Sequence, residues 1–333
     1  MRVLFDHANP FLLTHGGFQI QIERTMEAVR ASGVEGECLR WWDDTQTGDL
    51  IHYFGRPSGW YVRHAGHKGL PVAFSELLTG LGSRRPALRG AQRLITAALR
   101  RLDSRMINER FSWEAFRLAA ACVANTGFEA RLMSEMFGAP AERVHVVPNG
   151  VEDVFFDRGD RKRGDWLLCT ATIVERKRAL ELATAAVEAR TPVRIIGKPY
   201  SEDDPYFQRF SGLVANHPQF LEHLPAIADR AVLARHYHEA RGFVLLSTME
   251  TRSLSAEEAA AGGCPLLLTD LPWAHSVFGD DAIYCPLASA SVTARHLRAF
   301  YDAAPQRPVP KPPMRWSEVG ARFRAIYESV LRR

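Results

Sequence analysis

Short apolar runs alternate with stretches of helical spacing along most of the chain. The first run, 3–5, precedes a segment, 18–31, in which apolar residues recur every three or four positions. Further apolar runs, which predict strands, lie at 49–55, 70–75, 119–124, 144–151, 166–173, 192–197, 243–246, 265–268 and 282–285. Helical spacing is also found in a segment that follows the run 119–124 and ends at 137, and at 179–189, 226–240, 291–303 and 316–330. This alternation predicts an α/β protein with parallel strands.

The stretch 243–270 combines a strand, a loop, an Ala-rich helix and a second strand. Glu250 lies in the loop, and Ser253 and Ser255 open the helix. In a parallel sheet the loop after a strand faces the ligand crevice, and the following helix directs its free N–H groups there, which favours an anion. Glu250 and Glu258 would repel a phosphate but accept hydrogen bonds from sugar hydroxyls. The stretch therefore predicts a ligand that carries both phosphate and sugar.

A local explanation for one of these carboxylates stays open. Ser255 and Glu258 have the spacing of a capping box, in which the Glu side chain reaches back to the first helical N–H. This arrangement would account for Glu258 without any ligand.

The spacing of the whole motif is more specific than either glutamate. Ser247 and Glu250 are followed, after seven residues, by Glu258-Ala-x-Ala-x-Gly-x-Pro265. This pattern resembles the donor-site motif of retaining GT-B glycosyltransferases, especially the large family four (glycosyltransferase group 1). The resemblance implies two Rossmann-like domains with parallel sheets facing across a cleft, and a C-terminal helix that crosses back to the first domain.

The resemblance also implies a domain division. An N-terminal, acceptor-side Rossmann-like domain would span 1–156, and a donor-binding domain that takes the nucleotide-sugar would span 166–304. Residues 157–165 contain no apolar side chain and predict an interdomain linker. The proline-rich segment that begins at 305 predicts a stiff connector, which leads into the crossover helix within 305–333.

Donor-site roles follow from the same resemblance. Glu258 would hold the donor ribose, and Glu250 a hydroxyl of the transferred sugar. Lys177 would stabilise the leaving diphosphate, so that Glu250 and Lys177 are the catalytic pair. Ser253 and Leu254, at the start of the helix, would present its N-terminus to the donor.

The chain departs from the family pattern at one phosphate contact. Thr172 stands where the family has a phosphate-binding Arg, while Lys177 is retained. Arg176, Arg178 or Arg252 could restore the missing charge, and ordinary surface charge is the alternative for Arg176 and Arg178.

In the N-terminal domain, Gly16 and Gly17 match a family Gly-Gly pair that follows the first strand and faces the donor diphosphate and the acceptor, which implies that they bind the donor. A plain tight turn is the alternative. The family's usual His after the strand 70–75 is absent, so Glu76 is the candidate for a polar role there. Asn149 lies in Val-Pro-Asn-Gly-Val, which resembles the segment that closes the N-terminal domain, although turn chemistry alone explains Asn-Gly.

Residues 84–110 form the most basic part of the chain. Eight arginines, at 84, 85, 89, 93, 100, 101, 105 and 110, stand against only Asp103 and Glu109. Apolar residues at helical spacing are Leu94, Ile95, Ala98, Leu99, Leu102 and Met106. One interpretation is a surface helix whose apolar side packs on the N-terminal sheet; the other is contact with an anionic membrane or a lipid-linked acceptor's diphosphate.

Composition excludes several classes. With 333 residues and 46% hydrophobic content the chain can bury a large core, and a net charge of +4 does not predict nucleic-acid binding. Five scattered cysteines without a C-x-x-C pair predict buried thiols in a reducing compartment rather than disulfides or metal ligands. The histidines show no metal spacing, and no D-x-D pair is present, which argues against an essential metal ion. No signal peptide or membrane-spanning run is found, which predicts a cytoplasmic protein, at most peripheral at the inner membrane face.

The resemblance therefore predicts a retaining, hexosyl-type glycosyltransferase that moves a sugar from a nucleoside-diphosphate donor, of the UDP or GDP type, to an acceptor hydroxyl. No cofactor is expected. The implied setting is polysaccharide, lipid-linked glycan or glycoconjugate biosynthesis. Two alternatives stay open: a GT-B nucleotide-sugar epimerase, which would use Glu76 as an acid or base, and a nucleotide-sugar-binding protein that has lost catalysis.

Overall fold

The structure, a computed structural model, describes residues 1–8, 11, 17–78, 80, 86–101 and 105–333. The chain divides into two compact units. The first contains Met1–Gly150 together with Met314–Arg333, and the second contains Val151–Pro313. Residues 157–165, predicted to be a linker, lie within the second unit.

The first unit is built on a parallel sheet that has six strands among the described residues, in the order β2-β1-β3-β4-β5-β6. The strands are β1 (Arg2–His7), β2 (Glu35–Cys38), β3 (Leu50–Phe54), β4 (Val72–Ser75), β5 (Ala121–Ala124) and β6 (Val144–Val146). The helices are α1 (Gly17–Ala31), α2 (Gly59–His67), α3 (Pro86–Arg101), α4 (Arg105–Phe111), α5 (Glu114–Leu118), α6 (Gly127–Phe137) and α13 (Trp316–Leu331). Two apolar clusters pack on this sheet; one of them includes α1 and α13.

The second unit repeats the design with a parallel sheet of six strands in the order β12-β11-β10-β7-β8-β9. The strands are β7 (Leu167–Thr170), β8 (Val193–Ile196), β9 (Leu221–Leu224), β10 (Gly242–Leu245), β11 (Leu266–Thr269) and β12 (Ala282–Cys285). The helices are α7 (Ala179–Glu188), α8 (Pro205–Asn216), α9 (Arg230–Glu239), α10 (Leu254–Ala261), α11 (Pro272–Phe278) and α12 (Ala290–Ala303). A single buried cluster that runs from Val151 to Ala304 forms its core.

The last helix, α13, packs against α1 of the first unit, as the crossover prediction requires. Gly320 makes the close approach possible, since a Cβ there would lie 2.1 Å from the carbonyl oxygen of Ala28. The buried His52 ring joins the helix to the sheet: Nδ1 lies 2.6 Å from the Tyr327 hydroxyl and Nε2 lies 2.8 Å from Ser75 Oγ. The C-terminal segment is therefore part of the core of the first unit.

The basic segment only partly fits the interpretation of a surface helix whose apolar side packs on the first unit. Helix α3 packs against α6, where Arg93 pairs with Glu135 at 3.0 Å, and Leu99 contacts the core. Thr96, however, is buried, while Leu94 and Ile95 face solvent. The predicted apolar side is thus only partly the packed side. Arg84, Arg85, Leu102 and Asp103 lie outside the described residues.

One other expectation, that all five cysteines are buried, needs correction. Cys38 is exposed, whereas Cys122, Cys169, Cys264 and Cys285 are buried thiols as predicted. The exposure follows from its position at the end of β2, the edge strand of the first sheet. None of the helices in the described part of the chain is both long and apolar enough to span a bilayer.

Candidate functional site

In the second unit, two loops at the carboxyl ends of neighbouring strands are joined by hydrogen bonds. The loop after β7 carries Arg176 and Lys177, and the loop after β10 carries Thr248 and Glu250. The Thr248 N–H donates to the Arg176 carbonyl at 2.8 Å, and the Thr248 hydroxyl donates to the same oxygen at 3.2 Å. Residues more than seventy positions apart are thereby held at one point of the sheet edge.

Lys177 and Glu250 meet at that point in an ion pair between Lys177 Nζ and Glu250 Oε1. Both side chains are largely shielded, at 13% and 12% exposed, respectively. The more exposed Arg176 guanidinium lies 3.6 Å from the same carboxylate oxygen. The two residues predicted to be catalytic therefore lie in direct contact, beside a second cation.

The backbone at Arg178 is unusual for its residue type. Its φ of 57° lies in the left-handed region, directly after the 3-10 turn Glu175–Lys177 and before α7. A side chain disfavours this region, by about 1–2 kcal/mol per residue. Such strain is commonly found next to functional side chains.

The N-terminus of helix α10 is capped by Ser253. Its hydroxyl accepts a hydrogen bond from the Ala256 N–H at 3.4 Å and lies 3.1 Å from Ser255 Oγ. Leu254 is the first helical residue. The alternative of a capping box between Ser255 and Glu258 is therefore wrong, because the helix begins too early for Ser255 to be the N-cap.

Glu258 is instead the centre of a buried polar network. Its Oε1 pairs with the Arg230 guanidinium, and its Oε2 accepts a hydrogen bond from the Tyr237 hydroxyl at 2.8 Å. Arg230 also pairs with Glu152, and Tyr237 also bonds to Thr170 at the end of β7. Burial raises the pKa of the Glu258 carboxyl, and the Arg230 charge acts in the opposite direction.

Arg252 points to a different partner. Its guanidinium pairs with Glu257, which is almost fully buried and next to Glu258 in the sequence. Burial raises the pKa of Glu257, and Arg252 lowers it. Arg252 therefore offers less free charge for a phosphate than its sequence position indicates.

Thr172 lies in the loop after β7, where its carbonyl accepts a hydrogen bond from the Val174 N–H at 3.0 Å. The neighbouring Ala171 carbonyl oxygen lies close to Gly197: a Cβ on Gly197 would lie only 1.8 Å from it. The loops after β7 and β8 thus approach each other as backbone on backbone. No side chain at Gly197 could fit without moving the loop that carries Thr172 and Lys177.

The acceptor-side candidates lie in the first unit. Gly17 begins α1, whereas Gly16 lies outside the described residues. Glu76 is paired with Arg56, whose Nη2 lies 2.5 Å from Oε1 and whose Nε lies 2.8 Å from Oε2. Burial raises the pKa of Glu76. Asn149 is buried next to Gly150, which packs against the start of α13.

The sequence did not indicate that Arg230 and Tyr237 contact Glu258. Arg230 is the first residue of α9, where a cation opposes the helix dipole. Such a placement is itself a signal that a partner carboxylate compensates it. Tyr237 has the spacing of a buried apolar residue, and nothing in the pattern reveals that its hydroxyl bonds to Glu258.

Comparison with known proteins shows similarity to glycosyltransferases. Residues 36–154 match the family model Glycosyltransferase Family 4. A curated relative, D-inositol 3-phosphate glycosyltransferase of Acidothermus cellulolyticus, is 30% identical over 204 residues. That match covers 51% of this chain and 43% of the relative.

The fold of the whole chain is found in solved structures. HepE of Anabaena in complex with UDP has a TM-score of 0.67 at 12% identity, covering 99% of this chain and 100% of HepE. Sucrose-phosphate synthase of Thermosynechococcus elongatus has a TM-score of 0.65 at 14% identity, covering 99% and 96%. At these identities the likeness establishes the fold. The solved structures therefore show the GT-B fold for the chain, and the family model and the curated relative show a similarity to glycosyltransferases over part of its length.

Proposed function

We propose that this protein transfers a hexosyl group from a nucleoside-diphosphate sugar to an acceptor hydroxyl with retention at the anomeric carbon. The observation that carries the proposal is the contact between Lys177 and Glu250, next to the network that holds Glu258. A cation for a phosphate and two carboxylates for sugar hydroxyls lie at the carboxyl edge of one parallel sheet, where such ligands bind.

The bond that breaks joins the anomeric carbon to the diphosphate oxygen. As negative charge grows on that oxygen, Lys177, Arg176 and the N-terminus of α10 stabilise it where it develops. The acceptor oxygen forms its bond to the anomeric carbon on the same face, and its proton passes to the leaving phosphate. Glu250 holds the transferred sugar in place, and Glu258 holds the ribose.

The pairing of Glu250 with Lys177 has a consequence for donor binding. In the free protein the ammonium group is neutralised by the carboxylate, so a diphosphate must compete for it. A donor that brings both a phosphate for Lys177 and a hydroxyl for Glu250 satisfies both partners, whereas a bare phosphate competes for Lys177 without offering Glu250 a hydroxyl. The pair therefore favours the intact sugar nucleotide over inorganic phosphate.

The epimerase alternative is weakened by the contacts of Glu76. A carboxylate bound by Nε and Nη2 of Arg56 is poorly placed to exchange protons with a sugar. The binding-only alternative is distinguished by activity, because a protein of that kind would bind the sugar nucleotide without releasing the nucleoside diphosphate.

The activity test incubates the protein with UDP-glucose, UDP-GlcNAc and GDP-mannose, with simple glycosides and myo-inositol as acceptors. Transfer is followed by release of the nucleoside diphosphate, and the anomeric configuration of the product by NMR. We expect an α-linked product from an α-linked donor. A β-linked product would contradict retention, and an epimerised sugar without acceptor would favour the epimerase.

We also propose that the protein acts from the surface of an anionic membrane, as expected for polysaccharide or lipid-linked glycan synthesis at the cytoplasmic face. On α3 and α4 large apolar side chains face solvent: Leu94 is 74%, Ile95 59% and Met106 76% exposed. Arginines surround these residues in the sequence, so an apolar stripe is flanked by positive charge. This combination suits the headgroup region of anionic lipids.

Sedimentation with vesicles tests the membrane proposal. We expect binding to vesicles of phosphatidylglycerol and phosphatidylethanolamine, little binding to phosphatidylcholine, and loss of binding in the variant Leu94→Glu/Ile95→Glu. Val309→Glu is the matched control, since Val309 is equally apolar and exposed in the second unit. Equal binding by wild type and the double variant would contradict the proposal.

A further inference from the structure

The tryptophans of the first unit are distributed unevenly between core and surface. Of the seven tryptophans in the sequence, three are more than half exposed: Trp41 at 72%, Trp42 at 85% and Trp60 at 60%. Trp41 and Trp42 follow β2, and Trp60 lies in the first turn of α2, after β3. All three therefore follow the carboxyl ends of two strands that flank β1 in the sheet.

Trp41 is held in a fixed orientation despite its exposure. Its indole N–H donates a hydrogen bond of 3.1 Å to Oδ1 of Asp6, at the end of β1. Asp6 is 3% exposed, and its other oxygen accepts a hydrogen bond of 2.6 Å from the Tyr61 hydroxyl. The His7 N–H also donates to Asp6, at 2.8 Å. A buried carboxylate thus positions Trp41 and Tyr61 together.

This anchoring determines what the exposed part of Trp41 can bind. The only polar atom of the indole is already used by Asp6, so the solvent-facing surface is aromatic ring alone. The ring face carries partial negative charge, and it attracts polarised C–H groups. A six-membered polyol ring presents such C–H groups on one face and hydroxyls around its edge. Fixing the ring beforehand lowers the entropy lost on binding.

We propose that the exposed ring face of Trp41 is a stacking platform for a six-membered polyol ring, a hexopyranose or cyclitol, of the acceptor. This inference rests on the proposed function, because it names the acceptor chemistry for the same transfer reaction. Trp41 would act as a binding residue for the acceptor, and Asp6 and Tyr61 would position it.

The test separates acceptor binding from donor binding. Saturation-transfer NMR is recorded with methyl glycosides of glucose, mannose, galactose and GlcNAc, and with myo-inositol. We expect at least one ring to receive saturation mainly at its C–H protons, with a loss of five-fold or more in Trp41→Ala. Trp41→Phe keeps a ring but loses the bond to Asp6, and we expect it to retain part of the signal. Trp42→Ala is the matched control and should keep the full signal.

Two readouts keep failure of this inference distinct from failure of the proposed function. Nucleoside-diphosphate binding by calorimetry should be unchanged in Trp41→Ala, and the melting temperature should stay close to that of wild type. In the transfer assay, KM for the acceptor should rise about ten-fold while KM for the donor stays the same. Equal NMR signals in wild type and Trp41→Ala, or no ring bound by wild type, would overturn the inference even if the donor binds.

Discussion

Lys177 and Glu250, which lie 73 positions apart, form a shielded ion pair at the carboxyl edge of the second sheet. Under the proposed function, the pair would keep the Lys177 ammonium in place before a phosphate binds. An isolated shielded ammonium would be costly, whereas a paired one is stable until a phosphate and a hydroxyl replace the contact.

The pair predicts opposite effects for its two members. Glu250→Gln should lower the transfer rate at least about a hundred-fold, because a sugar contact made in the transition state is lost, a change of about 2.7 kcal/mol. The same variant should bind the bare nucleoside diphosphate at least as tightly as wild type, because Lys177 is freed. Lys177→Ala should weaken both. Calorimetry and initial rates measure the two effects, and weaker diphosphate binding in Glu250→Gln would argue against the pair as described.

The left-handed backbone conformation of Arg178 predicts that a glycine at this position stabilises the protein. Since its φ is 57°, Arg178→Gly should relieve backbone strain and raise the free energy of unfolding by up to about 1 kcal/mol, after the greater chain entropy of Gly is allowed for. Arg190→Gly, at a φ of 49° away from the site, is the control and should behave alike. Urea denaturation measures both. A loss of more than about 1 kcal/mol in Arg178→Gly would mean that its side chain, not its backbone, matters.

Gly320 gives a test in which two effects have opposite signs. Helix propensity alone predicts that Gly320→Ala stabilises α13 by about 1 kcal/mol. The 2.1 Å approach to the Ala28 carbonyl predicts instead a loss of about 1–3 kcal/mol, because α13 must move away from α1. Ala321→Ser, at an exposed position of the same helix, is the control. Thermal unfolding decides the sign, and a stabilised Gly320→Ala would refute the close packing of α13.

His52 predicts how stability depends on pH. Burial lowers the pKa of its imidazole to about 3, against 6.5 in an unfolded chain. Between those values the unfolded state binds a proton that the native state does not, so stability falls as the pH decreases below 6.5. Relative to His52→Asn, wild type should lose roughly 2–3 kcal/mol between pH 6.5 and pH 4.5.

Chemical denaturation of wild type and His52→Asn across that range measures the difference. Because the comparison is between two variants, contributions from other carboxylates and imidazoles cancel. A difference that does not change with pH would show that His52 is protonated in the native state, and that its contacts with Ser75 and Tyr327 are made by an imidazolium.

The sequence was informative where apolar runs were long and flanked by turn residues. β12 has the predicted bounds, and the helix from Trp316 differs at one end by a single residue. Strands with few apolar residues, such as Glu35–Cys38, were missed because edge strands bury little surface. Helix α8 was missed because its pattern follows a turn rich in charge, although Asp204 and Pro205 are good helix-start signals.

The site was predictable only in part. Lys177, Glu250 and Glu258 were identified singly, from their spacing and from the resemblance. Their partners depend on which loops and helices the fold brings together, and the sequence does not contain that information locally. The start of α10 shows the same limit, because Ser253 and Ser255 are both suitable N-cap residues. If the helix began two residues later, Glu258 could cap it; because the helix begins after Ser253, Glu258 instead pairs with Arg230.

The central claim is that the second unit holds a nucleoside diphosphate through Lys177 and Glu258. Its most direct test is calorimetric titration of the protein with UDP, GDP, ADP and TDP, repeated with Glu258→Gln and with Glu257→Gln. The two glutamates are adjacent and both buried, but they pair with different arginines, Glu258 with Arg230 and Glu257 with Arg252. We expect that one nucleotide binds, that Glu258→Gln weakens its affinity at least about ten-fold, or about 1.4 kcal/mol, and that Glu257→Gln changes the affinity less than about two-fold. Absence of binding by all four nucleotides, or equal affinity in wild type and Glu258→Gln, would contradict it.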